Sequence, residues 1–146
     1  MFKISKLADY ATVIMHWLSQ HADARFSATV ISEQTGIAAP TVSKILKLLN
    51  DAGLVTSTRG AQGGYHLSSP AEQISVAAII SAIDGRPKLT ECGDHHDGCQ
   101  LGPHCEIRGN WQYINKVVYK VLDNLSLQDM GGSVLEALGE QHVSNG

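Results

Sequence analysis

Three cysteines, Cys92, Cys99 and Cys105, stand with six and five residues between them, close enough for one loop to wrap a single centre. Thiolates are soft ligands that favour iron-sulfur clusters or zinc, and this spacing differs from the paired C-x-x-C of zinc ribbons. An odd, clustered set in a reducing compartment reads as metal ligands rather than as a disulfide framework. The remaining coordination position needs another donor, and His95, His96 or His104 would supply it if the metal were zinc. Free surface thiols in such a cluster would invite oxidation. His16, His21 and His66 have no cysteine in sequence reach and read as structural or solvated.

A second chemistry lies upstream. Residues 28–51 have the pattern of a helix-turn-helix, in which one helix holds another at the angle that fits the major groove. Pro40 sits where a helix can begin, since its missing N–H costs nothing in a first turn. Beyond it Val42, Ile45, Leu46 and Leu49 form an apolar stripe, leaving Thr41, Ser43, Lys44 and Lys47 largely off it. Thr41, Ser43 and Lys44 are placed for base edges and Lys47 for phosphate. Residues 54–67 read as two strands around a glycine-rich turn with Arg59 at its tip, where an arginine can enter a narrow minor groove.

The elements that must position these groups follow from periodicity and caps. Leu7, Tyr10, Ala11, Ile14 and Leu18 recur at helical spacing. Ser27 can cap a second helix that Gly36 ends. Ser75 can cap another, with Ile74 packing on Ile79 as a hydrophobic staple. Trp111, Ile114, Val118, Val121 and Leu125 alternate steps of three and four, the seam of a helix packed on another helix. The expected fold is mainly α with a small β-hairpin: a winged helix-turn-helix with a long C-terminal dimerisation helix. Its parts would be a DNA-binding domain at 1–84, a three-cysteine loop at 85–106, the dimerisation helix at 107–130 and a flexible tail at 131–146.

With 146 residues at 43% hydrophobic, the chain suits one domain with a real core. No apolar run approaches the ~20 residues of a membrane span, and the start of the chain lacks a signal-peptide hydrophobic stretch, so a cytoplasmic location is expected. The net charge of −3 is unevenly placed: residues 1–66 carry six basic and four acidic residues, a balance of +2, and the remainder five and ten, a balance of −5. A basic reading surface joined to an acidic half fits a double-stranded DNA partner. No phosphate-binding loop and no nucleophile-base motif is present, which argues against an enzyme. Two other classes use the same residues: a zinc-stabilised DNA-binding protein without redox sensing, and a small redox enzyme or electron carrier.

The run Arg59-Gly-Ala-Gln-Gly-Gly-Tyr-His-Leu67, followed by Ile74-Ser-Val, Ile83-Asp84 and the three cysteines, resembles the winged-helix iron-sulfur transcriptional regulators of the IscR, NsrR and RirA family, over about Met1 to Met130. The opening from Ile4 to Met15 looks most like the branch that regulates SUF-type iron-sulfur assembly genes. The resemblance implies a homodimeric repressor or dual regulator, each subunit binding one iron-sulfur cluster through Cys92, Cys99 and Cys105. IscR carries a histidine three residues after the last cysteine, where this chain has Arg108. NsrR-like members use an aspartate of the partner subunit's first helix, a place that Asp9 matches. Asp9 is the leading fourth ligand, with His104 or Glu106 as alternatives; 2Fe-2S and 4Fe-4S both remain open, as does a nitric-oxide- or iron-responsive role.

Overall fold

The computed structural model describes residues 3–90 and 104–143. Seven helices and a hairpin occur among them: α1 (Lys6–Gln20), α2 (Ala28–Thr35), α3 (Ala39–Asp51), β1 (Val55–Thr58), β2 (Gly64–Leu67), α4 (Val76–Asp84), α5 (Arg108–Asn124), α6 (Leu127–Met130) and α7 (Val134–Val143), with a 3-10 turn at Ala71–Gln73. The fold is therefore mainly helical with a two-stranded antiparallel hairpin. No helix among the described residues is long and apolar enough to cross a membrane.

Serine caps set the helix starts. The Ser5, Ser27 and Ser75 hydroxyls accept from Ala8, Val30 and Ala78 backbone N–H groups at 3.0, 3.2 and 3.0 Å, satisfying donors that a helix start leaves open. Gly36, at φ 75°, ends α2 in a left-handed conformation. Helix α3 starts without a side-chain cap because Ala38 has no acceptor; Pro40 lies in its first turn.

The core joins the inner faces of α1 and α3. Ala11, Ile14, Met15 and Leu18 meet Val42, Ile45, Leu46 and Leu49, closed by Ile31, Ile79 and Leu127. The staple residues Ile74 and Ile79 both lie in this cluster. The wing pairs Val55 with Leu67 through Thr58 with Gly64, and Tyr65 also bridges to Phe26.

Two expectations for the C-terminal segment are corrected. The helix expected over 107–130 is two helices, because Leu125 turns to extended backbone (φ −88°, ψ 127°). Its carbonyl accepts from the Val76 N–H at 2.8 Å, and the Leu127 N–H donates to the Ile74 carbonyl at 2.7 Å. Ser126 and Asp129 then form a capping box that starts α6. Within the flexible tail expected at 131–146, Val134–Val143 form α7, whose Val134, Ala137 and Leu138 pack against Val76, Ile80 and Leu125. Burial of that apolar face stabilises a helix that the preceding Gly131 and Gly132 disguise as linker.

Candidate functional site

The side chains expected to meet DNA lie on α3 and the wing. Burying Val42, Ile45, Leu46 and Leu49 turns the opposite side of α3 outward, leaving Ser43, Lys44 and Lys47 exposed and Thr41 half-buried. Arg59 is exposed in the turn between β1 and β2. Neighbouring glycines make that turn possible: Gly60 has φ 111°, and a Cβ on Gly63 would collide with the Thr58 carbonyl oxygen. The surface thus carries three exposed cations and two hydroxyls, the chemistry of phosphate and base-edge contact.

Of the thiols, Cys105 is described: it is free, half-buried and three residues ahead of α5. Cys92 and Cys99, with His95 and His96, lie outside the described residues. His104 and Glu106 are exposed on either side of Cys105. Asp9 is exposed on the first turn of α1 and lines an open groove of ≈ 490 Å³, floored by Ile4, Val76, Ile80 and Met130 with Lys3 and Lys6 beside it. Among the described residues no three His, Cys, Asp or Glu side chains converge to hold a metal ion. As a donor set, three thiolates with one carboxylate or imidazole suit a cluster or zinc.

Of the other histidines, His21 stacks on Trp17 with ring centroids 4.2 Å apart and its Nδ1 lies 2.8 Å from the Trp17 carbonyl oxygen. His16 and His66 each hold a buried Nδ1 without a hydrogen-bond partner.

Helix α5 has two apolar faces. Trp111, Val118 and Leu122 are half-buried, Leu122 against the chain's own core cluster of Val76, Ile80 and Leu125, whereas Tyr113, Ile114, Val117 and Val121 are 70%, 40%, 44% and 42% exposed. The seam expected at Trp111, Ile114, Val118, Val121 and Leu125 is thus divided: Ile114 and Val121 face out, and Leu125 is buried. Sequence reasoning missed Asn115, the one buried polar residue among those described. Its oxygen accepts from the Leu89 N–H at 2.6 Å, and its nitrogen donates to Thr90 Oγ1 at 3.1 Å. The available signal was an asparagine on the inward side of an apolar helix.

Comparison with known proteins supplies the class. The profile of the Rrf2 family, described as an iron-dependent transcriptional regulator, matches residues 4–132. The HTH-type transcriptional regulator IscR of Aliivibrio salmonicida (strain LFI1238) is 32% identical over 129 residues, 88% of this chain and 76% of that protein. The structure of CymR, the global cysteine regulator of B. subtilis, is similar with a TM-score of 0.69 at 30% identity, covering 89% of this chain and 96% of that one. T. potens IscR gives 0.66 at 31% identity, covering 92% and 90%. These relatives are transcriptional regulators, not enzymes.

Proposed function

The chain belongs to the Rrf2 family of transcriptional regulators, and from that premise we propose that it is a homodimeric, iron-sulfur-dependent repressor of SUF-type iron-sulfur assembly genes. The observation that carries the cluster dependence is the place of Cys105, a half-buried free thiol three residues ahead of the helix with the exposed apolar stripe. Whatever the three thiols hold is tied through Cys105 by three residues of chain to the start of the helix on whose outward face a second copy would pack. A coupling of only ~1–3 kcal/mol along such a connection alters DNA affinity roughly 5- to 150-fold.

The residues divide the work. Cys92, Cys99 and Cys105 hold the cluster, and Asp9 completes it from the partner subunit, with His104 or Glu106 as the alternative donor. The cluster, when bound, ties the thiolates together and offers iron that reacts with oxidants or nitric oxide. Thr41, Ser43 and Lys44 meet base edges, Lys47 meets phosphate, and Arg59 reaches the adjacent minor groove. Tyr113, Ile114, Val117 and Val121 pair two copies so that both recognition helices meet successive major grooves. Arg108 in place of the histidine of IscR, with Asp9 exposed on α1, favours a second reading within the same family, a nitric-oxide- or iron-responsive repressor.

The test is an absorbance spectrum with iron, sulfide and zinc analysis on protein purified without oxygen, followed by operator binding of loaded and cluster-free forms. Brown protein with equal iron and sulfide, and affinities that differ between the forms, is expected. Colourless protein with stoichiometric zinc would replace this reading with the zinc-stabilised one. Protein that stayed metal-free after anaerobic reconstitution would overturn both.

A further inference from the structure

Asn115 is 6% exposed on a helix that buries no other polar residue. Both ends of its carboxamide are taken by the segment that leads toward the cysteines, the Leu89 N–H at 2.6 Å and Thr90 Oγ1 at 3.1 Å. The same segment is held twice more: Pro87 is buried, and the Arg86 guanidinium lies 4.2 Å over the Tyr119 ring, one turn further along α5. Thr90 stands two residues before Cys92, and Cys105 stands three before Arg108. One helix therefore holds both flanks of the thiol set, the C-terminal flank by covalent continuity and the N-terminal flank through Asn115.

We propose that Asn115 is a positioning residue that couples occupancy of the Cys92, Cys99 and Cys105 set to the placement of α5, and through it to DNA affinity; the proposal rests on the cluster reading above. A buried carboxamide is stable only with donor and acceptor both engaged. It therefore fixes the register of residues 89–90 against one turn of α5, where an apolar side chain would let the segment slide. The two-residue step from Thr90 to Cys92 reaches ~7 Å at most, so any displacement of the first thiol beyond that reach must load the Thr90 bond to Asn115. Ile114, adjacent in the same turn, is on the outward apolar stripe. A shift of the segment is thus passed to the dimer surface without crossing the core.

The experiment compares wild type, Asn115→Leu and Thr90→Val by two measurements. Hydrogen exchange at the Leu89 amide is followed on cluster-free protein, and operator affinity is measured for loaded and cluster-free protein alongside iron and sulfide content. Asn115→Leu is expected to keep native circular dichroism and cluster uptake, to exchange the Leu89 amide about tenfold faster, and to bring the two operator affinities within about twofold of each other. Equal Leu89 exchange in wild type and variant, or an undiminished affinity ratio, overturns the proposal. If Asn115→Leu does not fold, Thr90→Val carries the test, since it removes one hydrogen bond of the clamp with a side chain of nearly the same size and leaves the Leu89 bond in place. A reduced affinity ratio at unchanged melting temperature supports the coupling, and an unchanged ratio sinks it. Wild-type protein that takes up no iron and sulfide removes the cluster reading and this coupling together, and exchange on cluster-free protein still reports whether the clamp exists.

Discussion

Gly64 and Phe26 meet backbone to backbone: a Cβ on Gly64 would stand 2.7 Å from the Phe26 carbonyl carbon. The adjoining Tyr65 exchanges both backbone hydrogen bonds with Phe26, at 3.1 and 2.7 Å. The wing is therefore anchored to the segment that immediately precedes the Ser27 cap of α2, and Arg59 is carried by a hairpin fixed to the helix-turn-helix rather than by a free ribbon.

Gly64→Ala should break this anchor. The residue sits at φ 149° and its new methyl would meet backbone that cannot swing away, so a loss of about 2–4 kcal/mol is expected. Gly60→Ala is the control: φ is 111° but nothing lies within 4 Å of the new Cβ, and the backbone strain alone should cost about 1 kcal/mol. Urea unfolding of the two variants checks the order, and equal midpoints would mean the contact with Phe26 contributes nothing.

The start of α1 and the end of α4 share one serine. Ser5 donates to the Asp84 carboxylate through its N–H at 3.1 Å and its hydroxyl at 2.6 Å, while its Oγ accepts from the Ala8 N–H at 3.0 Å. Ser5→Ala loses a helix cap and an interhelical bond, about 1–2 kcal/mol. Asp84→Ala keeps the cap and loses both bonds from Ser5, its N–H bond included, about 0.5–1 kcal/mol at this exposed site. Melting temperatures of the singles and the double should reveal less than additive losses, and strict additivity would show that the two groups do not interact in solution.

The helix-turn-helix was legible because its signals are local. Ser27, Gly36, Pro40 and the stripe Val42, Ile45, Leu46 and Leu49 each act within a turn or two of chain, so caps and periodicity place them without knowledge of the fold. The break at Leu125 was not legible, since its cause is the Ile74 to Val76 backbone, about fifty residues away, while the apolar spacing runs straight through it. Asn115 escaped for a related reason: its inward place on the helix is a local signal, but its partners at Leu89 and Thr90 are distant in sequence and no local pattern announces them. The thiols were conspicuous by residue type, yet type alone does not say that α5 holds both flanks.

On α3, Lys47 is exposed and lies off the buried stripe. If it meets phosphate, Lys47→Ala should weaken binding to every operator sequence alike and lower the salt dependence by about one ion per protomer. Arg59→Ala, by contrast, should weaken binding most on operators with a narrow, A·T-rich minor groove beside the half-site. Affinities measured across a salt series and across flanking sequences separate the two, and an unchanged salt slope for Lys47→Ala would remove that residue from the interface.

Val117 offers the cleanest probe of pairing between copies. At 44% exposure in the middle of the outward stripe of α5, it is not counted among the chain's own core. Within an isolated chain Val117→Glu should change stability by less than about 0.5 kcal/mol, the usual range for surface sites. Between two copies it would bury unpaired charge in an apolar seam, which is strongly unfavourable. Sedimentation is therefore expected to give a dimer for the wild type and a folded monomer for Val117→Glu, with operator affinity reduced because one recognition helix must bind without its partner. A dimer that survives Val117→Glu and a second change, Val121→Glu, would place the pairing surface elsewhere on the molecule.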